Sequence, residues 1–261
     1  GKHIGVNRDI SAQAVLMLQN VLEAKVTEAS DLVDSLRAVK DEEEIGLMRK
    51  NAEIADQVYH EIMPMIRPGE MVRNIEREIE RLFETHGCAC PSFPGECIVL
   101  GPNSGPIFGM NYDKIEKGYT VAFDFGGMYQ GYCSDTTRTV AVGYATEEMK
   151  KVYNVVLQAQ LAGIAVTKAG VTGAEVDGAA RKVISDAGYG DYFGHSYGHG
   201  VGLEIHEGPN MSFRNEKPIP AGAVTSAEPG IYLPGKFGVR IEDVTIVTEN
   251  GCEDITNIPK D

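Results

Sequence analysis

A chain of 261 residues, 43% hydrophobic and 24% charged, can bury a substantial core as one large domain or two small ones. Its formal net charge of -14 excludes nucleic acid and anionic membrane as partners, because both demand clustered Lys and Arg, and leaves a small molecule or a peptide. The longest apolar stretches, residues 14–18 and 152–166, fall short of the ~20 residues that span a bilayer, so no membrane segment is expected.

The first five residues carry no apolar run behind a basic region and do not read as a signal peptide, so the cytoplasm is the expected compartment. Further on, Leu32, Leu36 and Val39, then Ile45, Met48, Ala52, Ala55 and Val58, recur at helical spacing and predict amphipathic helices separated near Lys40-Asp41. Helical patterns also run from Asn74 to Thr85 and from Ala174 to Asp186, ending at Gly87 and Gly188, each suited to a helix C-cap. Five cysteines, Cys88, Cys90, Cys97, Cys133 and Cys252, are an odd number in a chain too large to need stapling. Reduced thiols are expected, and the irregular spacing of the first three predicts structural roles rather than a metal site at the mouth of the functional site.

From Tyr119 to Val142 the pattern predicts a strand, a turn at Gly126-Gly127 and a second strand, with Asp124 before the turn and Asp135 after it on the paired strand. Residues 194–207, with four glycines and three histidines, suit a strand or loop wrapped against a site better than a helix. A second hairpin is predicted to begin at Glu228-Pro229-Gly230 and return through Phe237 to Val244, with Glu242 inside an apolar strand and Asp243 facing solvent.

Spacings repeat between the halves. Gly69 and Gly87 are 18 apart, as are Gly170 and Gly188, while Gly118 precedes Asp124 by six residues and Gly222 precedes Glu228 by six. The chain therefore reads as two copies of a helix, helix, strand unit, each delivering a carboxylate at its strand end, with the ligand site across the repeat axis.

Buried carboxylates at close range repel and raise one another's pKa unless they share a proton or a cation. Asp124, Asp135, Glu228 and Glu242, with a histidine from the dense 195–206 cluster, form an oxygen-rich set that favours Mn, Fe, Co or Zn over a thiolate-bound zinc. Five ligands suit two ions, which about 3.5–4 Å apart can generate a nucleophile from water and polarise a carbonyl.

The ordered motifs Phe-Asp-Phe-Gly, Cys-Ser-Asp-Thr-Thr-Arg-Thr, Gly-His-Gly-Val-Gly-Leu-Glu-Ile-His-Glu, Ala-Glu-Pro-Gly-Ile-Tyr and Val-Arg-Ile-Glu-Asp span roughly residues 30 to 255. They resemble the prolidase, Xaa-Pro aminopeptidase, methionine aminopeptidase and creatinase superfamily. The resemblance implies the α+β pita-bread fold, with a pseudo-twofold repeat around antiparallel sheets, two divalent ions with manganese first, and a homodimer. It implies that Asp124 binds one ion, His199 and Glu228 the other, and that Asp135 and Glu242 bridge both. It also makes Glu228 a general base, places His206 and His195 against the scissile carbonyl, and puts Tyr232 and Arg240 at the substrate. By the same resemblance residues 1–36 are the tail of an N-terminal domain and residues 37–261 the catalytic domain.

The implied activity is hydrolysis of the bond after the N-terminal residue of short peptides, Xaa-Pro above all. Phe108 stands where the superfamily carries a substrate-contacting histidine, which leaves open hydrolysis of a non-peptide C–N bond in the manner of creatinase. A non-catalytic peptide-binding module is the third reading, opposed by retention of all five ligands, since four buried carboxylates without cations repel.

Overall fold

In the computed structural model, which describes residues 2–94, 97–101 and 114–260, the chain opens with a small unit of strand β1 (Lys2–Val6), helix α1 (Ala12–Leu22), strand β2 (Ala24–Glu28) and helix α2 (Ser30–Arg37). The two strands pair in parallel, which the intervening helix makes possible by carrying the chain back to the same edge. Leu32 and Leu36 of α2 are exposed, so the apolar spacing there forms no core face within this unit.

Helix α3 (Glu42–Ile62) starts where Asp41 accepts from the backbone N–H of Glu43 and Glu44 while the Glu44 carboxylate accepts from the Asp41 N–H, a reciprocal cap that stops α2 and α3 from fusing. Its periodic residues Ala55, Val58 and Ile62 are buried against Ile75, Ile79 and Phe83 of α4 (Val72–Thr85) and Val121, Phe123 and Phe125 of a following strand. That strand belongs to the series β3 (Cys90–Pro91), β4 (Cys97–Leu100), β5 (Thr120–Phe125), β6 (Gly127–Tyr129), β7 (Tyr132–Cys133) and β8 (Thr136–Ala141). Strand β5 is central to an antiparallel sheet of order β4-β5-β8.

The second half repeats the plan with α5 (Glu147–Val166) and α6 (Gly173–Asp186), whose inner faces, including Val152, Val156, Val176 and Ile184, meet Ile231 and Val239 in a second core. The strands here are β9 (Gly198–Gly200), β10 (Glu207–Met211), β11 (Val224–Ala227), β12 (Gly230–Leu233), β13 (Phe237–Arg240), β14 (Asp243–Val247) and β15 (Cys252–Asp254). Five of them form a sheet of order β10-β9-β11-β14-β15, and β12 pairs with β13 as a separate hairpin.

Corresponding backbone groups make corresponding hydrogen bonds. Gly69 N–H donates to Ile115 O at 2.8 Å and Gly170 N–H to Ile219 O at 2.9 Å, while Gly118 N–H donates to Val142 O and Gly222 N–H to Val247 O, both at 2.9 Å. Gly118 and Gly222 share φ values of +88° and +82°, a conformation that a side chain would strain, which is why both copies of the repeat carry glycine there.

Two predicted local features are corrected. The tight turn between Asp124 and Asp135 lies at Gln130-Gly131, both at positive φ, and not at Gly126-Gly127. Gly126 instead marks a close approach: a Cβ there would run into the Ser134 carbonyl, so strands β6 and β7 form an excursion before β8 returns to pair with β5. Asp135 accordingly stands one residue before β8, and Glu242 one residue before β14 rather than inside a strand. No helix among the described residues is long and apolar enough to cross a membrane.

Candidate metal centre

The sheets of the two halves meet at an isolated bridge, where Glu242 N–H donates to Thr137 O at 3.0 Å. Every predicted metal ligand lies around this seam. Asp124 comes from β5, opposite Thr137 of β8; Asp135 and Glu242 occupy the residue just before β8 and β14; Glu228 follows β11; His199 is the middle residue of β9. His199 lies between glycines because β9 is pressed between β10 and β11, where a Cβ at Gly198 or Gly200 would strike the Ser226 or Gly208 carbonyl.

Oxygen and nitrogen ligand atoms of Asp135, His199 and Glu242 lie within 4.8 Å of one another. His199 Nε2 stands 3.1 Å from Glu228 Oε1 and 3.5 Å from Asp135 Oδ2. Its Nδ1 is 3.0 Å from the Gly200 carbonyl, which can only accept, so Nδ1 carries the proton and Nε2 is directed at the carboxylates. The Ser226 hydroxyl accepts from the His199 N–H and donates to Glu228 Oε1, both at 3.0 Å, orienting two ligands at once.

Burial, followed by the charges of the neighbouring carboxylates, holds Asp135 and Glu242 well above the ordinary carboxylate range. Asp124 is raised by burial and by Glu228, against the opposing charge of Arg240. For Glu228 burial is outweighed by the hydrogen bond and charge of His199, with Arg240 and His195 adding to them, and the carboxyl is held below its usual value. Among the described residues Glu242 Oε1 is buried without a hydrogen-bond partner, which is costly for an oxygen unless a cation satisfies it. This orphaned oxygen and the hard, oxygen-rich donor set fit divalent ions.

Arg240 and Tyr232 lie in the wall of the centre. Arg240 Nη2 donates to Asp124 Oδ2, its Nε to the Thr137 hydroxyl at 3.0 Å, and its Nη1 to the Tyr232 hydroxyl at 3.2 Å. The Tyr232 oxygen is 3.0 Å from His195 Nε2, while His195 Nδ1 faces the Ser196 carbonyl at 2.9 Å and so carries the ring proton. His206 packs edge-on to His199 with centroids 4.3 Å apart. The next residue, Glu207, is anchored by Arg37 at 2.5 Å and Lys40 at 2.7 Å, tying the stretch before α3 to the histidine loop. A cleft of roughly 1120 Å³ between the N-terminal unit and β10 opens beside Ser196 and His206. Phe108 lies outside the described residues.

Sequence reasoning missed Thr137 and Ser226, whose hydroxyls orient the ligands; the available signal was their place two residues after Asp135 and two before Glu228. It also misread Asp243. The Asp243 carboxylate is fully buried, paired with Arg138 at 2.7 Å, accepting from Gln160 Nε2 at 2.8 Å and contacting Lys260, because alternation fails at a strand covered on both faces. Cys88 packs in the first core and is a free thiol, as are Cys90, Cys133 and Cys252.

Residues 46–249 match Metallopeptidase family M24. The chain belongs to this family. Among family relatives, an uncharacterized peptidase of Bacillus subtilis is 42% identical over 242 residues, 92% of this chain and 68% of the relative. The Xaa-Pro dipeptidase of Pyrococcus furiosus is 41% identical over 243 residues, 93% of this chain and 69% of the relative. The solved Xaa-Pro dipeptidase from Bacillus anthracis superposes with a TM-score of 0.94 at 42% identity, covering 100% of this chain and 74% of that one. Prolidase from Pyrococcus furiosus gives a TM-score of 0.93 at 37% identity, covering 99% of this chain and 77% of that one. These neighbours share the pita-bread architecture, and the chain is a metal-dependent peptidase of the family's α+β fold.

Proposed function

We propose that this metallopeptidase cleaves the bond after the N-terminal residue of short Xaa-Pro peptides, using two divalent ions held by Asp124, Asp135, His199, Glu228 and Glu242. The observation that carries the reading is the meeting of Asp135, His199 and Glu242, with Glu228 3.1 Å from His199, Asp124 held on the same seam by Arg240, and a buried Glu242 oxygen left unpartnered. The relatives named Xaa-Pro dipeptidase and prolidase support the substrate class. Manganese is the first choice of metal, given four carboxylates and one imidazole, with Co, Zn and Fe as alternatives. Free thiols support a reducing, cytoplasmic compartment. A division at residues 36–37 is part of the proposal, supported by α2 ending at Arg37 and the family match starting at residue 46.

Ions at this centre supply Lewis acidity, polarising the scissile carbonyl and lowering the pKa of water. Asp124, Asp135, His199, Glu228 and Glu242 would hold them, with Asp135 and Glu242 contributed one from each half. The Glu228 carboxylate takes the proton of the attacking water and passes it to the leaving amide nitrogen. His206, which lines the cleft, donates an N–H to the carbonyl oxygen as it gains charge. His195 Nδ1–H is committed to Ser196, so the mobile proton of the His195–Tyr232 pair is on the phenol, which can swing from His195 Nε2 towards that oxygen. The cleft beside His206 receives the rest of the peptide.

The test is metal analysis of the purified protein, with hydrolysis of a Xaa-Pro dipeptide and a longer Xaa-Pro peptide in added Mn or Co. Two ions per chain with cleavage is the expected result. Two ions without cleavage of either peptide overturns the substrate assignment, and no bound metal after reconstitution overturns the centre itself.

A further inference from the structure

The loop carrying His195, residues 193–197, belongs to no strand, and its backbone polar groups need partners from elsewhere. One ion pair on α6 supplies three of them, while the Tyr197 carbonyl accepts from the Glu228 N–H at 2.7 Å. Arg181 forks onto Asp177, Nε to Oδ2 at 2.8 Å and Nη2 to Oδ1 at 3.0 Å, and Asp177 is fully buried. The same guanidinium donates through Nη1 to the Phe193 carbonyl at 2.9 Å and through Nη2 to the His195 carbonyl at 2.8 Å. Asp177 Oδ1 accepts from the Tyr197 N–H at 3.0 Å. The Arg181 plane also lies over the Phe193 ring at 4.2 Å from its centroid.

Three alternate backbone groups of a five-residue loop are thus bound to one planar pair. The pair replaces the ladder that a neighbouring strand would provide, and it leaves the His195 side chain free to meet Tyr232 at 3.0 Å. We infer that Asp177 and Arg181 are positioning residues for His195, setting the ring so that its Nε2 holds the Tyr232 hydroxyl beside the metal centre. This rests on the peptidase reading above, in which the Tyr232 hydroxyl donates to the developing oxyanion. An error on the order of 1 Å in such a group lowers the rate by roughly 100-fold, and only arginine offers both the fork and the extra donors, so lysine cannot substitute for it.

The experiment is a double-mutant cycle of Arg181→Lys with His195→Ala, read by kcat and KM on a Xaa-Pro dipeptide, by bound metal, and by imidazole ¹⁵N–¹H signals of Arg181→Lys. Expected is a kcat loss of roughly 10–100-fold for Arg181→Lys alone, with metal content and KM near wild type and displaced His195 ring signals beside unchanged His199 signals. In the His195→Ala background the same substitution should cost less than about twofold, because the group it positions is gone. An equal loss in both backgrounds, or unmoved His195 signals, overturns the inference and leaves the ion pair as a brace for α6. If Arg181→Lys does not fold, the pair Asp177→Asn with Arg181→Gln removes both charges together and is judged by the same readouts. A wild-type protein that cleaves no Xaa-Pro peptide refutes the Xaa-Pro assignment, while the His195 signals still decide the positioning role.

Discussion

The Thr137 hydroxyl donates to Glu242 Oε2 at 2.6 Å, joining residues 105 apart in sequence across the seam between the two halves. The Thr137 hydroxyl oxygen in turn accepts from Arg240 Nε at 3.0 Å, so one hydroxyl aligns the Glu242 carboxylate and the guanidinium that faces Asp124. Thr137→Val keeps the shape and removes both bonds. Metal affinity is expected to fall about 10–100-fold, as for other outer partners of metal ligands. Titration of the metal-free variant with Mn by calorimetry measures it, and unchanged affinity would show that the hydroxyl does not align Glu242.

The metal-free protein should lose stability as pH rises, while the stability gained from metal should grow. Asp135 and Glu242 are held above the ordinary carboxylate range by burial and then by their neighbours, so the folded metal-free protein retains protons that the unfolded chain releases near pH 4 (about the model-peptide value). Its stability therefore falls as pH rises from about 5. His199 acts with the same sign: burial lowers it, Glu228 overrides burial, and the stability this pair contributes at low pH is lost as pH passes the raised value. Glu228, held below its usual value, contributes stability that is lost only in acid and is level above about pH 5. Metal binding displaces the retained protons, so the gain from metal grows with pH. Melting curves between about pH 5 and 8 should show Tm of EDTA-treated protein declining and the increment from Mn or Co rising; a metal-free Tm that climbs across this window contradicts the electrostatic account.

The His206 ring packs on His199 and lines the cleft. His206→Ala should leave two ions per chain while activity falls by ~100-fold or more, the loss expected for an oxyanion donor. Metal analysis beside steady-state kinetics tests this, and full activity would remove His206 from the mechanism.

Arg138 is among the largest fully buried side chains, and it serves the centre from behind. Its Nη1 donates to the Glu242 carbonyl at 2.7 Å and its Nη2 to Asp243 Oδ1 and the Ile258 carbonyl, both at 2.7 Å. Arg138→Met leaves Asp243 buried with Lys260 and Gln160 alone, and should destabilise the protein by about 3–5 kcal/mol, the usual result of breaking a buried pair by removing one partner. Urea unfolding of the metal-free protein measures this, and a change within about 0.5 kcal/mol, the range of ordinary surface substitutions, would mean the pair is dispensable.

Amino-acid order alone determined the ligand types, their sequence and the duplicated plan. Apolar period, caps such as Asp41 with Glu44, and glycines that must adopt positive φ, such as Gly118 and Gly222, are local requirements written within a few residues. Tertiary structure decided what those residues meet. The turn at Gln130-Gly131, the burial of Asp243, the alignment of Glu242 by Thr137 and the hold of Arg181 on the His195 loop follow from which distant segment arrives beside each group. A threonine or aspartate on a short strand has the same sequence signature whether its partner is water or a buried charge; only folding removes the water and makes the distant partner obligatory.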